Sequence, residues 1–160
     1  MFDHFRNPDL EKENKKTIEI LENNRRKLQN IPDNKLRYKL FLAHNFSAII
    51  TPRLAKTLIK YNLPKEYSET VIPQFDIEKI LHYIPTALCM FTLIFRRDQN
   101  RQRAIEPNDA PDLWHLILAI PYSDVVVTEN LWTTLAKQSK LDQMCDTVIL
   151  KSVNELCEYL

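Results

Sequence analysis

The sequence predicts an α/β fold, a small parallel sheet flanked by helices, preceded by a largely helical N-terminal half. Three observations predict it. From Asp109 onward the pattern runs helix, strand, helix, strand, helix, and a helical crossover between two strands of one sheet makes them parallel. The Val125-Val126-Val127 run has no polar alternation, as in a strand covered on both faces. Residues 1–100 instead carry amphipathic helical stretches broken at prolines.

Taken in order, Asn7-Pro8-Asp9 starts a helix over 9–30, with Ile18, Leu21 and Leu28 as an intermittent apolar stripe and Lys, Glu and Asn elsewhere. Ile31-Pro32-Asp33-Asn34 breaks it. A second helix covers 35–45, and Phe46–Ile50 has the composition of a short strand. Thr51-Pro52 opens a helix to Tyr61, with Thr as N-cap and Pro at the first helical position. Residues 62–74, with Pro64 and Pro73, are loop. Residues 75–84 and 86–98 are two helical pieces, or one helix kinked at Pro85. The second piece is apolar nearly all round, so it belongs in the core. A polar, basic linker covers 99–107. Then follow a helix over 110–120 with Pro111 in its first turn, a strand Asp124–Thr128, a helix 130–139, a strand Thr147–Leu150, and a helix Ser152–Leu160 opened by a Ser152/Glu155 capping box.

At 160 residues, 44% hydrophobic and 27% charged, the chain reads as one soluble domain, 1–160. The longest apolar run, Ala87–Phe95, is too short for a bilayer, so no membrane partner is expected. The N-terminus lacks a secretory signal, and the three cysteines have no metal-ligand spacing; reduced thiols and a cytoplasmic location follow as expectations. Charge is uneven: 17 Lys+Arg against 12 Asp+Glu in residues 1–100, and 5 against 9 in 101–160. Glycine is absent, which excludes phosphate loops of the Walker and dinucleotide types. Any left-handed backbone position must then fall to another residue, with the twelve asparagines the natural choice.

Chemistry concentrates between Asn108 and Asn130. Asp109, Asp112, Asp124 and Glu129 stand at the edges of the predicted helix and strand, with no Lys or Arg between them in sequence. Carboxylates gathered without a cation suit a hard metal ion. The plainer reading is that Asn and Asp cap the helix and Glu129 is a loop residue. Thr128, Glu129 and Asn130 fall at the carboxyl end of a strand, where ligand sites of open α/β sheets lie.

These residues resemble PIN-domain ribonucleases, the fold of VapC-type toxins, over about residues 84–160. The resemblance rests on Asn100-Arg101-Gln102-Arg103, on Asn108-Asp109-Ala110-Pro111-Asp112, and on Pro121-Tyr122-Ser123-Asp124-Val125-Val126-Val127-Thr128-Glu129. It implies Mg²⁺ or Mn²⁺ held by Asp112, Asp109, Glu129 and Asp124. Asp112, Glu129 and Asp109 would be the catalytic set, and Arg101, Arg103 and Asn130 would contact the RNA substrate. The implied reaction is metal-dependent hydrolysis of RNA phosphodiesters, possible toxin-like biology included, with a protein antitoxin or regulatory partner and a homodimer as further expectations. PIN domains begin with a buried strand ending in Asp, whereas this sequence begins Phe2-Asp3-His4-Phe5-Arg6-Asn7-Pro8, and no mid-chain Glu of the usual kind is identified among Glu66, Glu69 and Glu78. The alternative is therefore a catalytically impaired PIN-like module that binds nucleic acid or a protein partner; a third is a helical interaction domain whose acids are caps.

Other residues carry paired readings. His115, one turn after Asp112, is a ligand or proton shuttle, or a partly buried histidine donating to a carboxylate. Trp114 and Trp132 stack on bases, or pack in the core as tryptophans usually do. Lys12, Lys15, Lys16, Arg25, Arg26 and Lys27 form a basic face for a nucleic-acid backbone, or a solvated helix laced with ion pairs. Arg96-Arg97 ends a helix, where cations complement the dipole. No Cys/His or Ser/His/Asp nucleophile system is seen.

Overall fold

A computed structural model describes residues 8–62, 76–100 and 102–159, with side chains from residue 18 onward. The opening segment 1–7, the loop predicted over 62–74 apart from Asn62, Arg101, and the side chains of Lys12, Lys15 and Lys16 lie outside the described residues.

Helix α1 (Pro8–Gln29) runs into the Pro32 break. Helix α2 (Asn34–Asn45) is capped by Asp33, whose carboxylate accepts from the Lys35 and Leu36 amides at 2.8 and 3.2 Å. The strand expected over Phe46–Ile50 is instead a π-helical turn that carries the chain straight into α3 (Thr51–Lys60). The reason is local. Asn45, Phe46 and Thr51 all keep right-handed helical dihedrals, and the Thr51 amide reaches the Phe46 carbonyl. Thr51 therefore does not act as an N-cap; its hydroxyl bonds back to the same carbonyl at 3.4 Å. Pro52 has no N–H to continue an α-ladder, and a widened turn is where a helix absorbs that loss.

Helices α4 (Ile77–His82) and α5 (Pro85–Gln99) are separate pieces, Pro85 taking the first helical position of α5. Helix α6 (Asp109–Tyr122) extends two residues further than expected, through Pro121. Then come β1 (Val125–Val127), α7 (Asn130–Gln138), the short unforeseen α8 (Leu141–Cys145), β2 (Val148–Leu150) and α9 (Val153–Tyr159).

The two strands pair in parallel, Val125 opposite Val148, Val126 opposite Ile149 and Val127 opposite Leu150. β1 is not covered on both faces: Val126 is buried but Val127 is exposed. A two-stranded sheet has no further strands to shelter it, so a valine run marks β-propensity here rather than double burial. Hydroxyls fasten this small sheet to its helices. Thr133 of α7 donates toward the carbonyls of Thr128 and Leu150 at 3.3 Å each. Buried Thr147 donates to the Ile120 carbonyl, one of the orphan acceptors in the last turn of α6. The capping box of α9 is half made: Ser152 caps the Glu155 amide, while Glu155 accepts from the Lys151 amide at 2.9 Å.

Two cores share α5. Cys89 and Leu93 pack with Leu116, Ile117, Ile120, Val126, Trp132 and Ile149 of the α/β part. Leu88, Phe91 and Phe95 pack with Phe41, Leu42, Phe46 and Leu81 of the helical part. An all-round apolar helix is required because both of its sides are covered. The helical core is aromatic, with Phe41 edge-on to Phe91 at 6.4 Å and Tyr38 4.8 Å from Phe95.

Among the described residues, left-handed backbone falls on Asn62, Lys140 and Asp146. Only one of the three is asparagine. Lys140 ends α7 and Asp146 ends α8, the position where glycine is ordinarily used.

Candidate functional site

Asp109 is 2% exposed and stands at the first turn of α6. Its own turn holds it: the Asp109 amide donates to the Glu106 carbonyl at 3.0 Å, and its carboxylate accepts from the Glu106 amide at 3.2 Å. The carboxylate is then gripped by both terminal nitrogens of Arg103, at 2.8 and 2.6 Å. Arg97, itself buried, approaches to 3.8 Å. Burial pushes the Asp109 carboxyl up, but the Arg103 hydrogen bonds, the Glu106 amide and the two guanidinium charges outweigh it, leaving it below the usual carboxylate value.

This pair belongs to a larger network. Arg97 also binds the Asp98 carboxylate at 2.9 Å. Arg25 of α1 pairs with Glu22 and donates to the Arg103 carbonyl at 2.7 Å. Glu22 accepts from the buried Ile105 amide at 3.0 Å, and Gln29 donates to the Asp98 carbonyl at 2.8 Å. Three arginines thus meet three acids where α1, the end of α5, the 100–108 linker and the start of α6 converge. Burial dominates at Asp98 and raises its carboxyl, against the pull of Arg97 and Arg25.

The four acids foreseen as a metal centre do not form one. Asp109 is the acid of a bidentate arginine pair. Asp124 precedes β1 and offers its backbone carbonyl to the Val148 amide, while Glu129 follows the other end of the strand. Four residues lie between them, three of them strand, and five steps of about 3.3 Å put their Cα atoms roughly 16 Å apart, far beyond a shared ion whose oxygen ligands sit about 2.0–2.6 Å from it. Among the described residues, no three Asp, Glu, His or Cys side chains gather as metal ligands. Asp109, committed to Arg103, and Asp124, at the opposite end of β1 from Glu129, thus do not join one donor set with the other two acids. Asp112, half-exposed on α6, and Glu129, exposed before α7, form neither an ion pair nor a side-chain hydrogen bond among the described residues. Glu129 is close enough to Arg103 to help hold its proton. Asn130 is exposed at the first position of α7.

Other expectations shift as well. Arg103, foreseen as a phosphate contact, is committed to Asp109. His115 is exposed rather than tucked against a carboxylate. Trp132 is in the core as expected, but Trp114 is 63% exposed, at an open groove that Ile117 also lines. Arg25, foreseen on an open basic face, is buried. Cys89 and Cys145 approach to 3.9 Å as free thiols, with burial raising both.

Sequence reading missed the ion network and a second feature. The network had a visible signal, because cations at 96, 97 and 103 directly precede acids at 106 and 109. The second feature is charge. From Asn34 to Asn62 the chain holds Lys35, Arg37, Lys39, Arg53, Lys56 and Lys60 and no acid. All but Arg37 are exposed, and none forms an ion pair among the described residues. Lys35 and Lys39 share a groove with Asp76 and Glu78 of α4. Among the described residues, Arg53, Lys56 and Lys60 have no such offset; at spacings of three and four, they lie on one face of α3.

No family model, curated protein or solved structure matches this chain. Among the described residues, no helix is long and apolar enough to cross a membrane.

Proposed function

We propose that this chain is a PIN-like module that binds RNA through the basic surface of α2 and α3 without forming a metal centre of its own. The observation that carries this reading is the contrast in neutralisation. The acids that resemble a nuclease site include one, Asp109, already compensated by Arg103 and Arg97. Among the described residues, the cations of the acid-free 34–62 segment meet no acid of their own element, and those of α3 form no ion pair. A row of exposed, unpaired cations is the footprint of a polyanion site. The helix–strand–helix–helix–strand–helix order and the parallel pairing of β1 and β2 support the PIN-like part of the proposal.

A second reading, a metal-dependent ribonuclease, is favoured by one observation: Asp112, in the first turn of α6, and Glu129, just after β1, form no ion pair or side-chain hydrogen bond among the described residues. One experiment separates the two. Fluorescein-labelled 10-nucleotide RNA is mixed with the chain in EDTA and in Mn²⁺, followed by anisotropy and by gel, with calorimetry of Mn²⁺ on the wild type and Asp112→Asn. The binding module predicts salt-sensitive binding in EDTA and intact RNA in Mn²⁺. Cleavage in Mn²⁺, with the Mn²⁺ heat lost in Asp112→Asn, would establish the nuclease instead.

A further inference from the structure

Beside α3 lies an open groove of about 710 Å³ whose floor includes Ile50, Ala87 and Met90. Arg53 and Lys56 line one part of its wall and Trp114 of α6 another. Three properties of this groove stand out together. Its indole is largely solvent-exposed although the same chain buries Trp132 completely enough to leave 1%. Its two cations have no ion-pair partner among the described residues. Among the described residues, its lining contains no acid.

Building on the RNA-binding reading above, we propose that this groove is a base-stacking subsite that selects single-stranded nucleic acid: Trp114 takes a base on its face while Arg53 and Lys56 hold the adjoining phosphates. An exposed aromatic face next to cations is how single strands are held without sequence readout, since every base has a π-face to stack. A duplex keeps its bases stacked inside and presents only backbone, so it gains nothing from Trp114. The charge row argues for a polyanion over an acidic helical peptide. Lys60 continues the Arg53–Lys56 face beyond the groove, about 10 Å from Arg53 at about 1.5 Å rise per residue, where a strand's next phosphates would run. A short peptide seated in the groove would end before it.

The test uses the full chain and five variants: Trp114→Ala, Trp114→Phe, and Arg53→Gln and Lys56→Gln, singly and together. Trp114, Arg53 and Lys56 are surface residues, so folding is checked by thermal melting and should be unchanged. Labelled single-stranded 10-nucleotide RNA, the matching duplex, and an acidic amphipathic peptide of repeating Glu-Ala-Ala-Leu are titrated at several salt concentrations. Single strands should bind about tenfold more weakly to Trp114→Ala, while Trp114→Phe keeps most of the affinity. The paired charge variant should lower the salt slope by about 1.4, at about 0.7 per phosphate contact on a single strand. Duplex binding should ignore the Trp114 changes. Single-strand binding that is salt-dependent yet indifferent to Trp114→Ala would overturn the subsite and leave the RNA-binding reading standing. RNA binding by no form of the chain would overturn both. Preferential capture of the acidic peptide, lost in Trp114→Ala, would overturn the nucleic-acid assignment of the groove.

Discussion

The acid-rich start of α6 and the basic surface of α3 are mirror cases. Along the sequence, Asp109 and its neighbours look uncompensated, and so do Arg53, Lys56 and Lys60. In space Asp109 is neutralised, whereas the α3 cations have no ion-pair partner among the described residues. Asp109 is reached by Arg103 from six residues upstream and by Arg97 from the end of α5. Nothing folds back over α3 in the same way among the described residues. A charged group is available for a ligand only if the fold leaves it unpaired, and sequence neighbours are a poor guide to that, because ion pairs are made wherever elements meet.

Two tryptophans give the largest test of that contrast. Trp132→Ala removes a fully buried indole and should cost about 4 kcal/mol, read as a shift in chemical denaturation. Trp114→Ala should leave stability within about 0.5 kcal/mol, as expected of an exposed position. Equal losses would mean that Trp114 is buried in solution, and the groove would lose its stacking face.

Next comes the arginine pair. Arg103→Ala strands a buried carboxylate and should cost about 3 kcal/mol, whereas Asp112→Asn, with no side-chain partner, should cost less than about 0.5 kcal/mol. A silent Arg103→Ala would show that Asp109 is not held as described.

The same network predicts a pH signature of intermediate size. Asp109 is held below its unfolded value, so its contribution is present above about pH 3.9 and is lost as pH falls through the lower folded value. Asp98 is raised, so the fold resists its ionisation and stability falls as pH rises from about 3.9 through the folded value. Stability measured from pH 2 to 6 should therefore flatten below pH 4 in Asp109→Asn and above it in Asp98→Asn. The reverse pattern would exchange the roles of the two acids.

The smallest effect concerns the chain's lack of glycine. Lys140 holds φ at 58°, a conformation that costs a residue with a Cβ about 1–2 kcal/mol, partly offset by the extra backbone entropy glycine would lose. Lys140→Gly should stabilise by about 0.5–1 kcal/mol, seen as a raised Tm. A lowered Tm would mean that the lysine side chain contributes more than its backbone strain removes.

The residues themselves determined much of the C-terminal part. Val-Val-Val and Thr-Val-Ile-Leu have the propensity of strands, Pro111 and Pro85 stand where helices begin, and Asp33 caps α2 as its side chain allows. Such features are local, so sequence shows them. The continuity of α2 into α3 was hidden, because a β-branched run such as Ala48-Ile49-Ile50 fits a strand until a helical neighbour supplies the packing that holds it in a widened turn. The candidate site was half legible in the same sense. Asp112, Glu129 and Asn130 are where the pattern puts them, at a helix start and a strand end. That Asp109 is neutralised, that Arg25 is buried and that Trp114 faces solvent were settled only by tertiary structure. Propensity and capping act within a few residues, whereas burial and charge compensation depend on which distant elements come to lie against them.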